Sequence, residues 1–271
     1  MYDGTDQNGT GQRFREQRKE KMNMKKILAL VMALALVVFA SLALAEEAKV
    51  MTKEEFDAAA IDDAVCVEAY VQGAQGWWAK DGAGRMTLYL QNEEGGYFAY
   101  EVPMDEEESK KLVPGTKIRI SGFKAEWSGE VEIIDAAYEI LEADPFIAEA
   151  EDVTALLGTD DLAAHMNEKI AVKDAEVVAY TADGADIKDE IAFAYGWDNS
   201  GNHDANTDLY FKVKVGEETY TMTVESYLCG NDTDVYAAVE GLKVGDKIDL
   251  EGFLYWYNGA NLQATKLTKA E

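Results

Sequence analysis

The feature that most constrains this chain is an internal duplication. Residues 112–129, LVPGTKIRISGFKAEWSG, recur 130 residues later as LKVGDKIDLEGFLYWYNG at 242–259. Nine positions match in kind: Leu112/Leu242, Gly115/Gly245, Lys117/Lys247, Ile118/Ile248, Ile120/Leu250, Gly122/Gly252, Phe123/Phe253, Trp127/Tyr257 and Gly129/Gly259. Within each copy, Ile118 and Ile120 alternate with Lys117 and Arg119, so one face is apolar and the other wet, as in a half-buried strand. Gly122 marks a bend or bulge inside that strand, and Trp-Ser-Gly or Tyr-Asn-Gly turns the chain into the next one. One β-unit has been built twice.

The surrounding pattern repeats with it. In the first half a Thr52–Glu55 capping box opens a short helix through Ala60. A strand at 65–71 follows, then a loop at 72–85, and a hairpin of 86–91 with 97–102 about Glu93-Glu94-Gly95-Gly96. A charged helix at 105–112, the repeated unit and a strand at 130–141 complete the half. In the second half, 153–166 has a helical pattern broken near Gly158, 170–180 is a strand, and a long polar loop spans 181–207. Strands at 209–215 and 219–225 follow, then a helix at 233–242 and strands at 247–254 and 261–267. Strands in the order β-β-β-α-β-β, twice over, describe an all-β chain with short helices and two tandem five-stranded OB-fold barrels. The divisions expected are 46–142 for the first barrel, 143–151 for a linker containing Pro145, and 152–271 for the second.

The segment 115–122 (GTKIRISG), followed by Trp127-Ser128-Gly129-Glu130-Val131-Glu132-Ile133, resembles the fourth and fifth strands of bacterial OB-fold domains. It is similar to the secreted bacterial OB-fold (BOF) family and to exported tandem OB proteins. The resemblance covers about 30 residues of each half and consists of turn and strand features. It implies the fold and export, and carries over no catalytic residue, since OB domains serve many ligands.

Residues 24–45 have a basic start (Lys25, Lys26), an uncharged run from 27 to 45 and an Ala43-Leu44-Ala45 end, the marks of a secretory signal peptide cleaved after Ala45. The alternative reading is a retained membrane anchor. Residues 1–23 are polar and aperiodic and read as an over-extended, disordered leader ahead of a true start at Met22 or Met24. Beyond the signal peptide's transient passage no membrane association is expected. With 52 Asp and Glu against 25 Lys and Arg, the chain carries a formal charge of −27. Binding to nucleic-acid phosphates relies on cations, so this balance weighs against nucleic acid. Cys66, within an apolar strand, and Cys229 read as buried free thiols rather than a disulfide.

No H-E-x-x-H, P-loop or G-x-S-x-G occurs, and His165 falls in a helical pattern, so no catalytic residue and no enzyme is expected. Binding is read instead from aromatic residues. The loops between strands 1 and 2 and between strands 4 and 5 rim an OB ligand face. Trp77, Trp78 and Trp127 fall there in the first barrel, with Tyr89 on its open face; Trp197, Tyr255, Trp256 and Tyr257 fall there in the second. Such a platform stacks on sugar rings or bases; the rival role for Trp127 and Tyr257 is to cap a barrel end or join the barrels. A carbohydrate or cell-envelope polymer is the ligand expected. Single-stranded nucleic acid, or a protein partner in an interaction or structural role, are the alternatives. In residues 198–208 every even position carries a side-chain oxygen. Asp198, Asn202, Asp204 and Asp208 could therefore hold calcium, the only cofactor considered, or form an ordinary solvated loop.

Overall fold

The computed structural model describes residues 49–80 and 82–270. The leader, the signal segment and its cleavage point lie outside these residues. The helix α1 (Lys53–Ala58) starts on the expected capping box: the Thr52 hydroxyl accepts from the Glu55 N–H, and the Glu55 carboxylate accepts from the Thr52 N–H. It ends two residues earlier than its pattern implied, at an extended Ala59. Its one buried side chain, Phe56, meets the Tyr97 ring edge-on at 5.1 Å.

The first sheet comprises β1 (Ala64–Ala74), β2 (Trp78–Lys80), β3 (Ala83–Asn92), β4 (Gly95–Pro103), β5 (Lys117–Trp127) and β6 (Glu130–Ile140), with α2 (Glu106–Ser109) between β4 and β5. Antiparallel pairing of β1 with both β3 and β5, and parallel pairing of β4 with β6, closes five of these strands into a barrel. Strand β2 only extends the β3 edge.

The second sheet is the same device again. It is formed by β7 (Glu151–Asp152), β8 (Lys169–Val178), β9 (Phe193–Tyr195), β10 (Leu209–Val215), β11 (Glu218–Val224), β12 (Lys247–Trp256) and β13 (Ala260–Lys269), with α3 (Asp234–Glu240) between β11 and β12. Here β8 pairs with β10 and β12, and β11 runs parallel to β13. Two closed five-stranded OB-type barrels therefore stand in tandem, within one compact unit. The helical pattern at 153–166 resolves into two 3-10 turns, Thr154–Leu156 and Asp160–His165. Gly158, at φ 81°, separates them, and neither has a side-chain cap to extend its first turn. Among the described residues no helix is long and apolar enough to cross a membrane.

The repeat explains both interiors. Ile118, Ile120, Ile248 and Leu250 are completely buried at matching positions, each in the core of its own barrel. The repeated glycines occupy strand irregularities: register shifts fall between Ser121 and Phe123 and between Glu251 and Gly252. A Cβ on Gly252 would lie 2.1 Å from the Gln263 carbonyl oxygen, so only glycine fits without moving a strand. Gly252→Ala should therefore destabilise the fold by about 1–3 kcal/mol, as overpacking does, read as a lower urea midpoint at unchanged m-value. Cys66 and Cys229 are both buried and free. Burial, with the Glu225 charge beside it, pushes the Cys229 thiol up to about 11.

Candidate ligand site at the barrel seam

In an OB barrel, strands 2 and 3 present the ligand face; in the first barrel these are β3 and β4. Their outward residues do not meet solvent. Tyr89 and Phe98 form a small apolar cluster with Phe253 of β12, flanked by Leu228 and Tyr255. Tyr89 stacks on Phe253 at 4.4 Å and 16°, and its hydroxyl donates to the Gln263 side-chain oxygen at 2.6 Å. The open face expected for Tyr89 is thus closed by the second barrel, and Tyr89 has no exposed surface. Backbone contacts knit the same seam. The Gly76 N–H donates to the Tyr227 carbonyl, and the Lys169 N–H to the Gln91 side chain. A Cβ on Gly96 would fall 2.2 Å from the Asn167 backbone.

What the seam leaves open is its rim. The turns between strands 4 and 5 of the two barrels, Trp127-Ser128-Gly129 and Tyr257-Asn258-Gly259, both have positive φ at their last two residues, Ser128 and Gly129 in one and Asn258 and Gly259 in the other. They are also hydrogen-bonded to each other: the Asn258 N–H donates to the Ser128 carbonyl at 2.7 Å. Their aromatic residues meet at 5.2 Å with rings tilted by 36°, and each remains 52% exposed. Equivalent positions of the duplicated unit therefore converge on one surface-facing aromatic pair. Tyr255 lies beside it, half-buried and edge-on to Phe98 at 5.5 Å. Tyr100, exposed, extends the cluster, its ring 6.5 Å from that of Phe98.

Beneath this rim lie two carboxylates that the sequence reading left unremarked. Glu130 and Glu132 alternate with the core residue Ile133 along β6 and point outward, toward the second barrel, which buries both. One Glu130 oxygen accepts from the Trp256 N–H at 2.7 Å, while the other has no partner. Burial pushes the Glu130 carboxyl up to about 8, against opposing hydrogen bonding from the Trp256 N–H and the nearby Asn167 side chain, and burial alone pushes Glu132 up to about 7. Across the seam, burial and then the Asp208 charge push Glu225 up to about 7.

The other expected site residues separate. The Trp77 indole N–H donates to the Met104 carbonyl at 3.1 Å and the ring packs on the first core, so it serves the scaffold. Trp78 stays half-buried, with the Arg85 guanidinium 5.1 Å from its ring. Trp256 packs against the second core. Trp197 is exposed in the long loop, where its carbonyl accepts from the Tyr180 hydroxyl, and it makes none of the ring contacts of the seam. In the oxygen-rich loop the carboxylates cap local turns: Asp198 accepts from the Ser200 N–H and Asp204 from the Asn206 N–H, while Asp208 accepts from the Ser226 N–H. Among the described residues, the group of three acid or histidine ligand atoms close enough for one ion lies elsewhere, at Glu151, His165 and Glu168. There the His165 Nδ1 and the Glu168 carboxylate are 2.9 Å apart.

No protein-family model matches the chain, and no curated protein does. Several solved structures are similar to the chain at a distance. A murine DNA-binding protein bound to double-stranded DNA is 14% identical, covering 76% of this chain and 96% of its own, with a TM-score of 0.34. The Ifi202 HINa domain in complex with 20-bp double-stranded DNA is 16% identical, covering 77% and 100%, with a TM-score of 0.33. A deletion mutant of the single-stranded DNA-binding protein from Thermus aquaticus is 12% identical, covering 77% and 94%, with a TM-score of 0.24. Likeness of this order assigns no ligand.

Proposed function

We propose that this is an exported, non-enzymatic binding protein that holds an oligosaccharide of a cell-envelope or dietary polymer on the Trp127–Tyr257 pair. The observation that carries the reading is the convergence of two equivalent turns into one exposed aromatic surface at the rim of the seam. A flat ring with polar edges matches a sugar, whose C–H face stacks while its hydroxyls keep their water. The chain's charge of −27 does not oppose a neutral ligand.

A second reading, single-stranded nucleic acid, is favoured by one observation. On the second barrel the outward side of β10 and β11 carries Lys212 paired across from Thr221 and Lys214 paired across from Thr219, on the strand 2–3 face of an OB barrel. Lys212 also reaches the Thr181 hydroxyl at 3.2 Å.

A polysaccharide and oligonucleotide panel on residues 46–271 decides between them. Trp127→Ala should weaken glycan binding roughly tenfold to a hundredfold, by analogy with stacking contributions of about 1–3 kcal/mol. Its melting temperature should scarcely move, because a half-exposed ring leaves no core cavity. Binding that survives in Trp127→Ala, or oligonucleotide binding that falls steeply with salt and is lost in Lys212→Ala, would replace the glycan reading.

A further inference from the structure

The two outward carboxylates of β6 bear on which sugar the rim accepts. Glu132 pairs in register with Phe98 of β4 on one side and Ala125 of β5 on the other, so its side chain shares their outward face. Trp127 pairs with Glu130, two residues back along the same strand. At about 3.3 Å per residue, Glu132 therefore lies about 7 Å along the strand from the point where the aromatic pair is anchored, roughly the span of one pyranose and its substituents.

Glu132 is 6% exposed, and its carboxylate makes no hydrogen bond or ion pair with the described residues, although its oxygens keep a contact with water that the Glu130 Oε1 lacks. The neighbouring Glu130 Oε1 is likewise without a partner, on a residue that is completely buried. Buried polar groups are normally satisfied, and one left bare carries the full cost of its desolvation. Among the described residues nothing cationic offsets the pair, so near neutral pH it keeps a proton that a bound ammonium would displace. The groups around it are the phenols of Tyr100 and Tyr255 and, beside Glu130, the Asn167 side chain. Burial comes first in raising both phenols, followed by neighbouring charges that include Glu132 in each case. Aromatic rings with negative faces surrounding an unpaired carboxylate make a setting that favours a cation.

We propose that the seam site takes a sugar bearing a free amino group, its ammonium held against Glu132 while the ring lies on Trp127 and Tyr257. This rests on the reading that the aromatic pair holds a sugar ring. An ammonium donates up to three hydrogen bonds, enough to reach the Glu132 carboxylate and a phenol oxygen at once. The interaction strengthens because the carboxylate lies largely out of water. The surplus of negative charge over the whole chain draws in a cationic oligomer and turns away phosphorylated or uronic ones. An N-acetylated amine is uncharged and too bulky to approach a carboxylate with so little open surface. The selectivity runs from free amine to neutral hydroxyl to acetamide.

Three tetrasaccharides at pH 7 test this by calorimetry: β-1,4-linked glucosamine, its N-acetylated form and the neutral glucose analogue. The glucosamine oligomer should bind at least tenfold more tightly than the other two. Glu132→Gln should erase that preference while leaving the affinity for the glucose oligomer within about twofold, and Trp127→Ala should weaken all three. Melting curves confirm that both variants are folded. Equal binding of the three oligomers, or a preference that persists in Glu132→Gln, overturns the amine assignment and leaves the aromatic site standing. Binding of none of the three overturns the glycan reading itself. Spermidine binding as tightly as the glucosamine oligomer would show that charge alone is recognised and would also overturn the proposal.

Discussion

Lowering the pH from about 9 to about 5 should raise the melting temperature. Three seam carboxyls have folded-state values above the ordinary 4.5: Glu130 at about 8, Glu132 at about 7 and Glu225 at about 7, each chiefly through burial. A group that holds its proton more tightly when folded adds stability while that proton is on. The contribution is complete below about 4.5 and is lost as the pH rises through the folded values. Taken singly, each would amount to no more than about 3–5 kcal/mol at high pH. Glu130 and Glu132 share one environment and Glu225 keeps some contact with water, so a combined change of about 3–5 kcal/mol is expected. For a unit of this size that is about 10 °C.

Below about pH 4.5 the trend should turn. Glu68, Asp152, Glu240 and Asp246 have values held down, the last mainly by hydrogen bonds from Lys269 and the Lys243 N–H. Carboxylates of that kind lose their stabilisation as they are protonated. The optimum should therefore lie near pH 5. Glu130→Gln keeps an oxygen for the Trp256 N–H and removes the charge, so it should raise the melting temperature at pH 9 and flatten the profile. A wild-type curve that is level between pH 5 and 9, measured calorimetrically, would show that the seam admits enough water to leave these groups ordinary.

The architecture could be read in advance because it was written twice. Ile118 and Ile120 alternate with charged residues, Ile248 and Leu250 do the same, and Gly122 and Gly252 interrupt both strands where the ladders shift. Local signals of this kind survive in any tertiary context. The seam could not be read in the same way. Alternation places Tyr89 on the opposite side of β3 from Leu88 and Leu90, but it cannot say whether water or a second barrel lies beyond; the structure supplies the barrel. Glu130 and Glu132 look like a wetted strand face for the same reason, and the packing that buries them comes from residues more than 100 positions away. One usable signal was present. Tyr89, Phe98, Phe253 and Tyr255 all occupy the outward positions of strands whose inward positions are already apolar, and a strand apolar on both faces is covered on both. Trp77 and Trp78, at the entry to β2, split, one toward the core and one away. In the 198–208 loop, Asp198, Asn199 and Asp204 accept from nearby backbone N–H groups, a common use of those side chains in turns.

The seam should also behave as part of the folding core and not as a loose docking of two finished domains. Phe253 belongs to β12 of the second barrel, yet it is 3% exposed because it stacks on Tyr89 of the first and touches the backbone at Gly73, where a Cβ would lie 2.8 Å from its ring. Phe253→Ala removes that stack and leaves a cavity between barrels that Gly96 and Gly129 already bring as close as backbone allows. A loss of about 3–5 kcal/mol follows from buried phenylalanine truncations, or about 10 °C in melting temperature. Tyr89→Ala should cost a similar amount and also strand the Gln263 oxygen that its hydroxyl satisfies. Because the two side chains share one contact, the double variant should be less destabilised than the sum of the singles, with a coupling of about 0.5–3 kcal/mol. Calorimetry distinguishes the outcomes. A single cooperative melt with strong coupling means the barrels unfold together. Additive losses, or a wild-type melt in two steps, would mean that each barrel closes on its own core and the seam contributes contact without cooperativity.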